Sequence, residues 1–194
     1  MGATRMPLPR RFSFAEYLTI ERRAETKSEY CQGVILATAG GLPDHSLIAT
    51  NISSALAGQL KRSKCRVYNS DLRLAVAAGE GSFYPDAMVV CGDLKLFNRY
   101  RDVIANPVLV VEVLSRSTVS YDRLVKLPLY QRTPSIEDIL LVSQDKARVE
   151  HLFRAGKSGR WKSLVYSQLA DVVELPNIRC ALALSDIYAN VKLA

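Results

Sequence analysis

Residues 107–114 read PVLVVEVL, and this stretch decides the fold. A nearly unbroken run of Val and Leu opened by Pro107 is the pattern of a strand covered on both faces, which belongs at the centre of a sheet. Glu112 interrupts the run. An isolated buried carboxylate costs several kcal/mol, so a cation, a salt bridge or a bound metal must offset it. Strand alternation sets Val110, Glu112 and Leu114 on one face and Val111 and Val113 on the other.

The flanking segments build outward from this strand. Before it, DAMVVC at 86–91 is a short strand starting behind Pro85, whose fixed φ sets the angle at which Asp86 enters. After it, Ser117 or Thr118 opens a helix over about 119–132, with Asp122, Lys126 and Tyr130 spaced four apart on one face. Pro128 lies inside that helix, where proline costs about 3 kcal/mol and usually kinks the axis. DILLVS at 138–143 is a second buried strand, 146–154 and 160–166 form a hairpin, and 172–175 is a last short strand. Ser185 is expected to cap a short helix through Tyr188.

Towards the N-terminus, Ser13 and Glu16 make a capping box for a helix over about 14–23, with Phe14, Tyr17 and Leu18 as its apolar face. Residues 28–38 read as a bent strand or hairpin broken at Gly33. Asp44 is the expected N-cap of a long helix whose stripe is Ile48, Ile52, Leu56 and Leu60, and Lys61, Arg62 and Lys64 close it. Residues 66–77 read as one strand with Leu72, Leu74 and Val76 inward, and 79–82 as a turn. The order gives an α/β fold: a central mixed β-sheet flanked by helices, with an added C-terminal β-hairpin. An N-terminal arm over 1–11 precedes a single domain over 12–194.

At 194 residues, with 48% hydrophobic and 23% charged residues, the chain has the composition of a folded domain and not of a disordered one. Cys31, Cys65, Cys91 and Cys180 form no CxxC pair, and His45 and His151 stand far apart, which excludes the usual zinc sites and most Ser-His or Cys-His hydrolases. The four cysteines are expected as reduced, mostly buried thiols, in keeping with a cytoplasmic protein. No apolar stretch reaches the roughly 20 residues of a spanning helix. Twenty-six Lys and Arg against 19 Asp and Glu favour a polyanionic partner, DNA first.

If the strands at 86–91 and 107–114 pair, Asp86 and Glu112 converge near one edge. Two carboxylates, the Val113 carbonyl and waters satisfy Mg²⁺ or Mn²⁺, and such an ion can activate a water and stabilise charge on a phosphate. Lys126 would orient that water or oppose developing charge. Simpler readings stand beside these. Asp86 fits a turn residue, Glu112 a partner of Arg73, and Lys126 a partner of Asp122 across one helical turn. Glu29 fits a solvent-facing strand position, and His45 points either to solvent or to the site. Asp71 sits where Asp commonly bonds a turn backbone. Arg99, Arg101, Arg116, Arg123 and Arg132 form either a phosphate-tracking rim or a solvated face. Tyr68, Phe83, Tyr84, Tyr100 and Trp161 are base-stacking candidates that more often serve a core.

The strings YPDAMVVC, NPVLVVEVLS, YDRLVKLPLYQRTPS and LLVSQDKARVE closely resemble the Uma-type endonucleases of the PD-(D/E)xK nuclease superfamily. FSFAEYL, SEYCQGVIL and DHSLIATNISSAL extend the resemblance over nearly the whole chain. It implies a restriction-endonuclease-like fold and divalent-metal hydrolysis of a phosphodiester. Pro85-Asp86 matches the PD element and Glu112 the second acid. Leu114 occupies the usual lysine position, and the resemblance implies that Lys126 on the next helix supplies that amine. Glu29 matches an early acidic position. Gln32 stands where relatives usually carry Asp, and Pro128 where they carry a helix former.

The expected activity is therefore endonucleolytic hydrolysis of DNA by a metal-activated water, with Asp86, Glu112, Lys126 and Glu29 catalytic and Asp86, Glu112 and Val113 holding Mg²⁺ or Mn²⁺. The alternative is a DNA-binding or scaffold module of the same fold with weak or no cleavage. A phosphohydrolase for a small nucleotide fits the broad positive charge less well. Nucleases that cut both strands often dimerise, so a homodimer is among the expected partners.

Overall fold

The computed structural model describes residues 10–38, 40–156 and 159–193; of the arm expected over 1–11, all but Arg10 and Arg11 lie outside the described residues. In chain order the elements are α1 (Phe14–Glu21), β1 (Ser28–Cys31), β2 (Val34–Ala37), α2 (Pro43–Leu60), β3 (Cys65–Asn69), β4 (Arg73–Val76), β5 (Gly81–Phe83), β6 (Ala87–Cys91), β7 (Val103–Ile104) and β8 (Leu109–Leu114). There follow α3 (Val119–Tyr121), a π-helical segment (Asp122–Lys126), α4 (Leu127–Gln131), β9 (Asp138–Ser143), β10 (Val149–Ala155), β11 (Arg160–Tyr166), β12 (Val172–Leu175), β13 (Cys180–Ala183) and α5 (Leu184–Ile187).

The apolar run forms β8, buried at all six positions inside a mixed sheet ordered β11-β10-β9-β8-β6-β3. It runs parallel to β9 and antiparallel to β6. The alternation holds: Leu109, Val111 and Val113 join one core and Val110 and Leu114 the other. The first core takes the predicted stripe of α2, since Ile48, Ile52, Leu56 and Leu60 are all buried there. Full burial of each such side chain contributes about 1.5–3 kcal/mol.

A second sheet, ordered β2-β1-β5-β4-β7, covers the other core, and the sequence pattern did not announce it. Residues 66–77 are not one strand: the chain turns at Ser70–Leu72, with Asn69 and Asp71 bonding each other, and β3 and β4 join different sheets. A two-sheet corner looks like one strand to a period-2 pattern. Residues 28–38 are a hairpin, turning at Gln32 and Gly33 with φ of 46° and 93°, as a tight hairpin turn requires. The last short strand, β12, has an antiparallel partner in β13, with Val172 opposite Ala183 and Leu175 opposite Cys180.

Two predicted caps differ. Ser13 makes its capping box with Glu16, but α2 begins at Pro43, so Asp44 lies inside its first turn, and α5 begins before Ser185. In α2, proline at the first helical position is pre-organised there, which moves the start ahead of the expected cap.

The cysteine expectation is corrected. Cys65 and Cys91 stand opposite each other in the β3–β6 register and form a disulfide, and only Cys31 and Cys180 are free thiols. The pair is 26 residues apart in sequence, so only strand pairing brings it together. The bond removes the compositional ground for placing the protein in a reducing compartment. No helix among the described residues is long and apolar enough to cross a membrane.

Asp102 ties α1 to the second sheet. It accepts from Arg22 Nη2 and from Arg73 Nη1, each at 2.6 Å. These guanidinium bonds, Arg22 first, hold its carboxyl down at about 2. A lowered folded pKa stabilises above the unfolded value and is lost as pH falls towards the folded one. We expect Asp102→Asn to flatten the stability loss between about pH 4 and pH 2, measured by urea midpoints across that range; an unchanged slope would contradict it.

Candidate active site

Pro85 leads the chain into β6, and the β6–β8 register, Ala87 opposite Val111, brings Asp86 level with Glu112. The backbone ladder ends there, and the Asp86 carboxylate continues it: Asp86 Oδ2 accepts the Val113 N–H at 2.7 Å. Glu112 turns its carboxylate towards Lys126 and Tyr130 of the helical segment 119–131.

Lys126 is the hub. Its Nζ lies 3.0 Å from Glu29 Oε1, 3.2 Å from Asp122 Oδ1 and 3.4 Å from Glu112 Oε1. All four residues are buried. Phe83 and Tyr121 present their rings to the ammonium at 5.7 and 5.5 Å. Tyr130 donates its O–H to Glu112 Oε1, and Glu29 Oε1 also accepts the Tyr84 N–H at 3.2 Å.

Pro128 does not displace Lys126. Proline has no N–H and would crowd the carbonyl four residues back inside an α-helix. The turn before it is instead π-helical: the Leu127 N–H bonds the Asp122 carbonyl five residues earlier. Pro128 then falls in the first turn of α4, where a missing donor is harmless. The widened turn carries Asp122 and Lys126 into the cluster together, and such turns recur at functional sites.

One ammonium facing three buried carboxylates sets the proton affinities. Burial pushes Glu112 well above the ordinary carboxylate range; Lys126 pulls it down, while Asp122, Asp86 and Glu29 push it up. Burial raises Glu29 too, against the pull of Lys126. For Lys126, burial alone would lower the affinity, but the three carboxylates outweigh it and hold the ammonium protonated well above its usual range.

His45, at the start of α2, faces the site rather than solvent: its Nε2 is 3.4 Å from Asp86 Oδ2. Its pKa is raised, first by the hydrogen bond to Asp86 and also by the Val113 backbone.

Several sequence alternatives are thereby resolved. Glu112 does not pair with Arg73, which bonds Tyr84 and Asp102. Glu29 is not solvent-facing. Lys126 does pair with Asp122, but as one of three partners. Asp71 bonds Lys27 and Asn69. Arg116, Arg123 and Arg132 pair with Asp145, Glu150 and Glu80; the Arg99 side chain lies outside the described residues. Phe83 is core, packed against Tyr130 and Tyr121. Sequence reasoning missed Asp122 and Tyr130 as members of the cluster, although their i, i+4 spacing with Lys126 was the available signal.

Among the described residues no three His, Cys, Asp or Glu side chains form a ready-made metal cage. The expected donor set needs only two side chains and a carbonyl, and Mg²⁺ commonly keeps several waters beside one or two carboxylates. Glu112 Oε1 is taken by Lys126 and Tyr130 and Asp86 Oδ2 by Val113 and His45, which leaves each carboxylate a second oxygen for a hard cation. The donor chemistry fits.

The family described as Uma2, putative restriction endonuclease, matches residues 14–185. The uncharacterized Synechocystis protein slr1290 is 36% identical over 185 residues, covering 95% of this chain and 95% of its own. A second uncharacterized Synechocystis protein, sll1609, is 36% identical over 142 residues, covering 73% of this chain and 80% of its own. The crystal structure of a putative nuclease belonging to DUF820 from Anabaena variabilis matches with a TM-score of 0.70 at 20% identity, over 93% of this chain and 99% of that one. That likeness concerns the fold.

Proposed function

Because this chain belongs to the Uma2 family, we propose that it is a metal-dependent endonuclease that hydrolyses DNA phosphodiester bonds. The observation that carries the reading is the buried cluster of Glu29, Glu112 and Asp122 around Lys126, with Asp86 one strand away. Buried carboxylates in this number destabilise a fold, and such arrangements persist mainly where chemistry needs them.

Asp86, Glu112 and the Val113 carbonyl would hold Mg²⁺ or Mn²⁺, which supplies a water of lowered pKa and positive charge beside the phosphate. Tyr130 fixes Glu112 by one oxygen and so orients the other. Glu29 and Asp122 keep Lys126 protonated and in place. Its ammonium opposes charge that builds on the phosphate oxygens, in a setting with little water to screen it.

One observation favours the second reading, a DNA-binding module with little cleavage. An ammonium has three protons to donate, and in this structure three carboxylates already face them. Catalysis requires Lys126 to exchange one of these partners for substrate or water.

The test is incubation of supercoiled plasmid and of single-stranded DNA with the whole protein in Mg²⁺, Mn²⁺ or EDTA. Cutting only with metal is expected, reduced at least about a hundredfold in Asp86→Ala. Folded protein that shifts DNA in EDTA yet never cuts would replace the nuclease reading with the module.

A further inference from the structure

We propose that the outer edge of the six-stranded sheet, where α2 turns into β3, is the surface along which duplex DNA runs as it leaves the acids, and that Lys61, Arg62, Lys64 and Arg66 hold its phosphates. The inference rests on the DNA reading above and holds with or without cleavage. The sequence sets the charge. From His45 to Ser70 the chain has no Asp or Glu and carries these four basic residues, so one short segment supplies four of the protein's net +7. All four residues are exposed, and no ion pair joins any of them to an acid among the described residues. The arginines that flank the acids in sequence differ: Arg116, Arg123 and Arg132 each already face a carboxylate.

Topology joins this charge to the site. α2 starts with His45 beside Asp86 and ends at Leu60; β3 brings the chain back, and its last residue, Asn69, stands opposite Ala87, the neighbour of Asp86. Lys61 thus lies about 24 Å from His45 along the helix, and Arg66 about 10 Å from Asn69 along the strand. That is a track of about three to seven nucleotides at roughly 3.4 Å each. Arg66 and Tyr68 stand opposite Val90 and Met88, on the face away from α2, so the basic residues straddle the edge from both sides. β3 ends the sheet and pairs only with β6, so N–H groups on its outer edge can also meet phosphate. A groove of about 450 Å³ between α2 and β3 adds the hydroxyls of Ser53 and Ser54.

The surface suits a phosphate polymer and not a lipid bilayer. A bilayer surface takes up apolar side chains beside the charge, and none of the exposed large apolar residues belongs to α2 or β3.

The experiment follows binding of a labelled duplex of about 30 base pairs to the whole protein by fluorescence anisotropy, in EDTA, from about 50 to 200 mM salt. Each phosphate contact contributes about 0.9 to the slope of log affinity against log salt. Lys61→Gln, Arg62→Gln, Lys64→Gln and Arg66→Gln together should lower the slope by about 3–4 and weaken binding at least about tenfold at the lower salt. Arg160→Gln with Lys162→Gln, on β11 at the opposite edge of the same sheet, should lower it by less than about one. If the fourfold variant melts lower than wild type, Arg62→Gln with Lys64→Gln, both between α2 and β3, carries the test with an expected fall of about two. Equal falls per charge at the two edges overturn the assignment of this surface and leave the DNA reading in place. An unchanged slope in the fourfold variant, with loss of binding to anionic lipid vesicles, assigns the cluster to a lipid surface and overturns it likewise. No binding of the duplex by wild type overturns both this inference and the DNA reading beneath it.

Discussion

Lys126→Met is expected to lower folding stability by about 3–5 kcal/mol at pH 7, the usual cost of breaking a buried ion pair from one side. Methionine fills a similar volume, so the loss is electrostatic rather than a cavity effect. It leaves Glu29, Glu112 and Asp122 buried and facing one another without their cation. The pH dependence follows from the raised proton affinity of Glu112. A folded pKa above the unfolded one contributes stability at low pH that is lost as pH rises through the folded value. Without Lys126 that affinity rises further. The deficit relative to wild type should therefore shrink towards pH 5 and grow towards pH 8. Urea midpoints at those two pH values measure it; a deficit under about 1 kcal/mol, or one independent of pH, would mean the cluster is not the tightly coupled unit described.

Glu112→Gln is expected to separate stability from activity. Glutamine keeps the shape and an oxygen to accept from Tyr130 and Lys126, while removing the charge that burial and three neighbouring acids penalise. Replacing a buried charge by a neutral isostere that keeps its hydrogen bonds is often neutral or stabilising. The variant should be as stable as wild type or more so, with the gain growing as pH rises, because at low pH Glu112 is itself protonated. Cleavage should nevertheless fall at least about a thousandfold, equivalent to about 4 kcal/mol of barrier. A residue kept for the fold alone would show the opposite pattern.

How far the sequence reached can be judged residue by residue. PVLVVEVL gave a central strand with Glu112 on a chosen face because strand period and apolar content are local properties. The α2 stripe was legible for the same reason. Asp86 beside Glu112 was legible once the two strands were paired, because antiparallel register follows from one contact. The second sheet was not, because β3 and β4 share one alternating pattern across a turn made by Ser70–Leu72. The Cys65–Cys91 bond was not, because it depends on the register of two strands far apart in the chain. The π-helical segment was hidden as well: Pro128 signalled strain, but a widened turn and a kink give the same sequence. The cluster around Lys126 was half legible. The spacing of Asp122, Lys126 and Tyr130 was visible, while their meeting with Glu29 on β1 is tertiary.

The central claim is that Glu112 is buried among acids for chemistry and not for the fold. The most direct measurement takes wild type and Glu112→Gln from matched preparations, records a thermal melt of each, and follows supercoiled plasmid in Mn²⁺ and in EDTA. The account predicts metal-dependent cutting by wild type, an equal or higher melting temperature for the variant, and no cutting by the variant in either condition. A variant that melts lower yet cuts at the wild-type rate would contradict it.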